Sequence, residues 1–113
     1  MDIIEITRGD TARFKFQRLD SEGTPFVTQA DSVFFTVKTK FTKPDFVLQK
    51  TKADMTFDEE GYYHFTLAPS DTDKLDFREY DFDIQVTDEG LKTTIAFGTL
   101  RITPEVTWAQ NEV

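Results

Sequence analysis

His64 is the one histidine of the chain, and there is no cysteine. It stands in the run Tyr62-Tyr63-His64-Phe65-Thr66-Leu67, where Tyr63, Phe65 and Leu67 share one parity. Period-two spacing turns His64 to the opposite, outer side of that strand. A nucleophile served by the imidazole would have to lie within hydrogen-bond reach of it. The three serines, Ser21, Ser32 and Ser70, fall in a turn, at a strand start and ahead of a helical turn, so each has a local role. One histidine without thiols is a poor zinc set. Carboxylates are the abundant reactive group, with 21 Asp and Glu. Glu79, Asp81 and Asp83 project from one face of one strand, about 7 Å apart at successive outward positions. That is a row, not a converging cage. Asp58-Glu59-Glu60 and Asp88-Glu89 read as turn clusters, and the calcium-loop spacing of an EF-hand is absent. A glycosidase pair needs a cleft as well as two acids. The glycines are scattered singly, so no phosphate loop is present. The expectation is a chain that is not an enzyme and uses no cofactor and no metal.

The elements that carry these groups are strands. From Glu79 to Val86, Tyr80, Phe82, Ile84 and Val86 alternate with Glu79, Asp81, Asp83 and Gln85. Asp88-Glu89-Gly90 is a turn with a glycine available for positive φ. The run after it places Ile95 and Phe97 on one parity and Leu100 and Ile102 on the other. That predicts a bulge at Gly98, since a one-residue slip in a strand is what a bulge produces. The pair makes a long hairpin with one apolar face, which a second layer must cover.

Earlier segments supply that layer. Asp2 to Thr7 reads as a strand, and Arg8-Gly9-Asp10 as a turn despite spelling a cell-adhesion tripeptide. Thr11 to Leu19 puts Phe14 and Phe16 inward, and Phe26 and Val27 are expected to pin the following loop to the core. Ser32 to Lys40 buries Val33, Phe35 and Val37 and turns Phe34 outward. A fourth strand runs from Phe46 to about Lys52, and Ala53 to Glu60 reads as irregular, anchored by Met55 and Phe57. Tyr62 to Leu67 is the fifth strand. Pro69 to Leu75 carries the only helical signal, with Ser70 as its cap and Leu75 docked on the core. The core expected from this reading includes Phe14, Phe16, Phe35, Phe65, Phe82, Ile84, Ile95 and Phe97.

Seven strands, regular turn signals and one helical turn predict an all-β, immunoglobulin-like, two-sheet antiparallel β-sandwich. Residues 1–113 would form a single domain, with a frayed tail over 109–113. Tyr80 sits at a corner, two residues before Phe82, as the corner tyrosine of immunoglobulin domains precedes the second cysteine. Its hydroxyl is expected to bond backbone near Pro69 to Leu75.

Charge limits the partners. The net charge of −8 argues against nucleic acid, whose phosphates need clustered Lys and Arg. No segment has the roughly 20 apolar residues of a membrane span, and the start of the chain lacks the basic and apolar regions of a signal peptide. Residues 1–52 hold nine basic and seven acidic side chains, leaving four and fourteen for residues 53–113. The halves therefore carry +2 and −10, and two unlike surfaces can meet partners or neighbouring copies.

Several runs carry a resemblance. They are Ile-Thr-Arg-Gly-Asp-Thr near the start, Val-Phe-Phe-Thr-Val-Lys, Gly-Tyr-Tyr-His-Phe-Thr-Leu-Ala-Pro-Ser-Asp-Thr-Asp-Lys-Leu, Tyr-Asp-Phe-Asp-Ile-Gln-Val, and Thr-Thr-Ile-Ala-Phe-Gly-Thr-Leu-Arg-Ile-Thr-Pro-Glu-Val-Thr. From about Ile6 to Thr107 the chain resembles small structural proteins of tailed bacteriophages and prophages, in particular the N-terminal domain of the baseplate upper protein family. Arg78-Glu79 departs from the glycine expected before the corner tyrosine. The resemblance implies a non-enzymatic structural subunit of a phage tail or baseplate, acting through protein–protein contacts with other tail proteins. It also implies a place in the virion, after assembly in the bacterial host cytoplasm.

The sequence offers one candidate contact surface. Lys38, Lys40, Lys43, Lys50 and Lys52 lie along an expected edge segment that contains Pro44, and edges invite pairing with another chain. The Glu79, Asp81 and Asp83 row of a neighbouring copy would suit them, giving a homo-oligomer. The alternative is a carbohydrate-binding or adhesin-like sandwich, in which Phe34, Tyr62 and Trp108 would stack on sugars.

Overall fold

The computed structural model describes residues 2–104. Trp108 and the tail over 109–113 lie outside the described residues. Eight strands and two short helical turns follow one another: β1 (Asp2–Thr7), β2 (Ala12–Gln17), β3 (Ser32–Lys38), β4 (Leu48–Thr51), a 3-10 turn (Lys52–Asp54), β5 (Thr56–Phe57), β6 (Tyr62–Leu67), α1 (Pro69–Thr72), β7 (Glu79–Asp88) and β8 (Leu91–Thr103). One sheet has the order β1-β8-β7-β3-β4, the other β2-β6-β5. The protein is an all-β sandwich. Its β8-β7-β3-β4 and β2-β6-β5 orders are those of the G-F-C-C′ and B-E-D strands of an immunoglobulin domain.

Alternation builds the core between the sheets. Val33, Phe35, Val37, Tyr63, Leu67, Phe82, Val86, Leu100 and Ile102 are almost wholly buried. Phe35 sits at the centre, with ring centroids 4.8 Å from Phe65 and 5.8 Å from Phe82. Phe14 and Phe16 pack at the flank, 5.4 Å from Phe65 and 5.2 Å from Tyr63 respectively. Tyr80 forms the corner: its hydroxyl accepts the Asp76 N–H at 2.9 Å, one residue beyond the expected stretch. Arg8-Gly9-Asp10 is a turn, with Gly9 at φ 87° and its N–H bonded to Thr72 Oγ1. Leu75 is buried, as expected of the residue that docks the helical turn.

Five expectations change. First, an eighth strand exists, because Thr56 and Phe57 pair with His64 and Tyr63. Second, the fourth strand begins at Leu48, and Phe46 is half exposed. Third, the register shift in the hairpin falls at Ile95, between the pairs Ile84↔Ala96 and Gln85↔Thr94. From Ala96 to Thr103 the alternation then runs unbroken, so Phe97 faces solvent with Thr99 and Arg101 and is 50% exposed. Gly98 is needed for another reason: a Cβ there would run into the Asp2 backbone, where β1 lies parallel on β8. Fourth, Phe26 and Val27 are not core. Phe26 lies under the Arg18 guanidinium, 4.2 Å from its ring centroid. Fifth, Ser70 is exposed and does not cap α1. The Asp71 carboxylate accepts the Ala68 N–H at 2.7 Å instead, which it can reach from the third helical position.

Candidate functional site

The outer face of the five-stranded sheet gathers the groups most able to bind something. Register places them in rows. Gln49, Thr36, Asp83 and Phe97 form one; Thr51, Phe34, Gln85 and Thr94 the next; Lys38, Asp81, Thr99 and Ile3 a third. Phe34, Phe97 and Ile3 are exposed on this face. Phe41 joins them from the β3–β4 loop, because the Asp81 carboxylate accepts its backbone N–H at 2.9 Å. Thr36, Lys38, Phe41, Asp81, Asp83 and Gln85 line a depression of about 240 Å³ there.

Asp83 is an acid of this face with a shifted pKa. Partial burial raises its pKa above the ordinary carboxylate value, against the opposing charge of Lys38 and a weak hydrogen bond from Gln85. Burial disfavours the charged form of an acid. Asp83 lies between Thr36 and the exposed Phe97, with Phe34 in the next row opposite Gln85.

The candidate contact residues separate in the fold. Lys38 shares a row with Asp81 of the same molecule, so the acid row already has a cation beside it. Glu79 is taken by Arg101, at 2.6 Å, and Arg101 also reaches Glu5 at 3.1 Å. Lys50 faces inward opposite Phe35 and pairs with Asp71 at 3.0 Å, both side chains about four-fifths buried. Lys52 donates to the Ala30 carbonyl at 2.8 Å. A long stem lets an edge lysine run along apolar surface to a polar group at the rim. Lys40 and Lys43 remain exposed in the β3–β4 loop. The structure thus brings together Lys38, Asp81 and Asp83, and separates them from Lys50 and Lys52. Phe41, Phe97 and Ile3 were missed as surface groups. The strict alternation of Phe97, Thr99, Arg101 and Thr103 was the signal available for Phe97.

His64 lies on the other sheet. Its Nε2 is 2.8 Å from Asp58 Oδ2, and Asp58 also accepts the N–H groups of Tyr62 and Glu60. These bonds, the one to His64 foremost, hold the Asp58 pKa below the ordinary value. The dyad closes the β5–β6 turn. Tyr62, a candidate sugar platform, lies on this face under the Lys15 ammonium, 4.4 Å from the ring centroid. Phe34 is on the opposite side of the sandwich, so the two cannot share a ligand. Among the described residues no three His, Asp or Glu side chains gather as a metal site.

No protein-family model and no curated protein matches the chain. Among solved structures it is similar to the endo-β-1,4-mannanase from Thermotoga petrophila, with a TM-score of 0.62 and 14% identity over 93% of this chain. The match spans 18% of that enzyme's length. A likeness this distant in sequence speaks for the shared fold alone.

Proposed function

We propose that the protein is a non-enzymatic structural subunit of a phage tail or baseplate, working through protein–protein contacts. The observation that carries this reading is the outer face of the five-stranded sheet, where Ile3, Phe34, Phe41 and Phe97 surround Lys38, Asp81 and Asp83. Apolar side chains grouped on an exposed face, with polar groups among them, mark interaction sites. The resemblance of the strand runs to baseplate upper proteins names the assembly, and other tail proteins would be the partners in the virion. Mass spectrometry of particles purified from the source phage or induced prophage tests it. The protein should be a stoichiometric component, and Phe97→Asp should lower its incorporation without unfolding it. Absence from purified particles overturns the proposal.

A second reading has its own observation. Phe34 and Phe97 flank Asp83 and Gln85 on one face, and aromatic platforms around polar groups can hold a saccharide. Glycan-array binding lost in Phe34→Ala and Phe97→Ala would favour it over the first.

A further inference from the structure

The two ends of the sandwich differ in shape and charge. Strand β3 runs from Ser32, beside the tip of the β7–β8 hairpin, to Lys38, beside the start of β7. Those ends lie about 20 Å apart at the rise of a strand.

At the Ser32 end, the β2–β3 connection meets the hairpin tip. The Glu89 N–H donates to Asp31 at 2.9 Å, and Arg18 Nη1 donates to Asp88 at 2.9 Å. Between them opens a cleft of about 430 Å³. Leu19, Phe26, Leu91 and Ile95 give it apolar walls, and Leu19 and Leu91 are well exposed. Asp20, Asp88 and Glu89 supply negative charge. Arg18 is the one base in its lining; its Nη1 and Nη2 are bonded to Asp88 and the Thr28 carbonyl, and its Nε is buried without a partner. The cleft is therefore apolar inside and acidic at its border.

At the Lys38 end, the β3–β4 loop has the complementary character. Residues 40–46 are all exposed and hold Lys40, Phe41, Lys43 and Phe46 against a single acid, Asp45. The loop is internally braced: the Lys43 N–H donates to the Lys40 carbonyl, and Asp81 holds the Phe41 N–H. A braced projection loses less conformational freedom on docking than a slack one.

We propose that the β3–β4 loop of one copy seats in the cleft of the next, so that the protein self-associates head to tail. Phe46 would enter the apolar cleft, and Lys40 and Lys43 would meet Glu89 and Asp20, the acids of its border that are not paired with Arg18. Joining unlike surfaces at opposite ends makes a heterologous contact, which closes into a ring or extends into a filament. The inference rests on the reading of this chain as a protein-contact subunit and names a second copy as its partner.

Sedimentation of the whole chain across concentration and salt tests it. Mass should rise past the dimer with concentration at low salt and fall at high salt, because exposed charges are screened. Lys40→Glu with Lys43→Glu should weaken association at least about tenfold, as should Ser21→Lys with Glu89→Lys, because each opposes like charges across the contact. These choices leave Asp20 and Asp88 in the bonds that hold their turns, and unchanged urea midpoints would show that both variants fold. Mixed together, the two variants should associate again, since the acidic loop of one meets the basic cleft of the other. A mixture that stays monomeric, a wild-type species that stops at a dimer, or a monomer at every concentration overturns the inference. A monomer that is nevertheless recovered in tail particles would sink self-association and leave the structural-subunit reading standing. A chain that self-associates but is missing from particles would do the reverse.

Discussion

On the outer face of the three-stranded sheet Lys15 covers Tyr62 and His64 is bonded to Asp58, whereas on the outer face of the five-stranded sheet Phe34 and Phe97 stand exposed. Both faces mix aromatic and charged residues. The difference is in the aromatic groups: on one face Tyr62 lies under Lys15 and His64 is bonded to Asp58, and on the other Phe34 and Phe97 leave apolar rings facing water. Composition would not separate them. Exposed rings are what a partner can cover, so the proposed contact is placed on the five-stranded sheet.

The hairpin β7–β8 holds the same contrast within one pair of strands, with Phe82 buried at 2% and Phe97 at 50% exposure. The largest expected effect is at Phe82. Phe82→Ala should cost about 3–5 kcal/mol, since it removes transfer energy and leaves a cavity beside Phe35. Phe97→Ala should cost under about 1 kcal/mol, as surface changes do. Urea unfolding of the two variants measures both, and equal losses would break the assignment of faces.

Tyr80→Phe comes next. It leaves the Asp76 N–H without its acceptor, and a loss of roughly 1–3 kcal/mol is expected. Thermal or urea unfolding checks it, and an unchanged midpoint would mean that the hydroxyl bond contributes nothing net. Gly98→Ala should also destabilise, by about 1–3 kcal/mol, because the added Cβ pushes on Asp2 and overpacked sites cost that much. Hydrogen exchange should show the loss concentrated in β1, with β2 and β6 unchanged.

The smallest effects are electrostatic and have opposite signs on the two sheets. Asp58 is held below the ordinary carboxylate value, so it stabilises the fold above about pH 4 and loses that contribution as acid protonates it. Asp83 is pushed above that value, so ionising it costs stability, and the cost disappears as pH falls through its folded pKa. NMR titration of the two carboxyl groups should give midpoints on either side of the ordinary one. Asp58→Asn should lower stability at neutral pH, while Asp83→Asn should leave it unchanged or slightly higher. Coincident midpoints would remove the electrostatic contrast between the faces.

What was legible in the sequence was whatever depends on period two. Alternation from Tyr80 to Val86 places a core face and an acid row on opposite sides of β7, whatever the strand pairs with. Tyr63, Phe65 and Leu67 went inward and His64 outward for the same reason, and the corner at Tyr80 was readable from its position before Phe82. Three features had no such local cause. The bulge settled at Ile95 because the register on β7 shifts between Ile84 and Gln85, while Gly98 serves the close approach of β1 from the far end of the chain. Lys50 and Lys52 resemble free edge lysines in sequence, yet the fold brings Asp71 and the Ala30 carbonyl to them. The exposed group of Ile3, Phe34, Phe41 and Phe97 draws on β1, β3, the loop after it and β8. Alternation says only that a side chain leaves the core. Which other residues it meets there is set by strand order, which arises from pairings between distant segments that no short window of sequence contains.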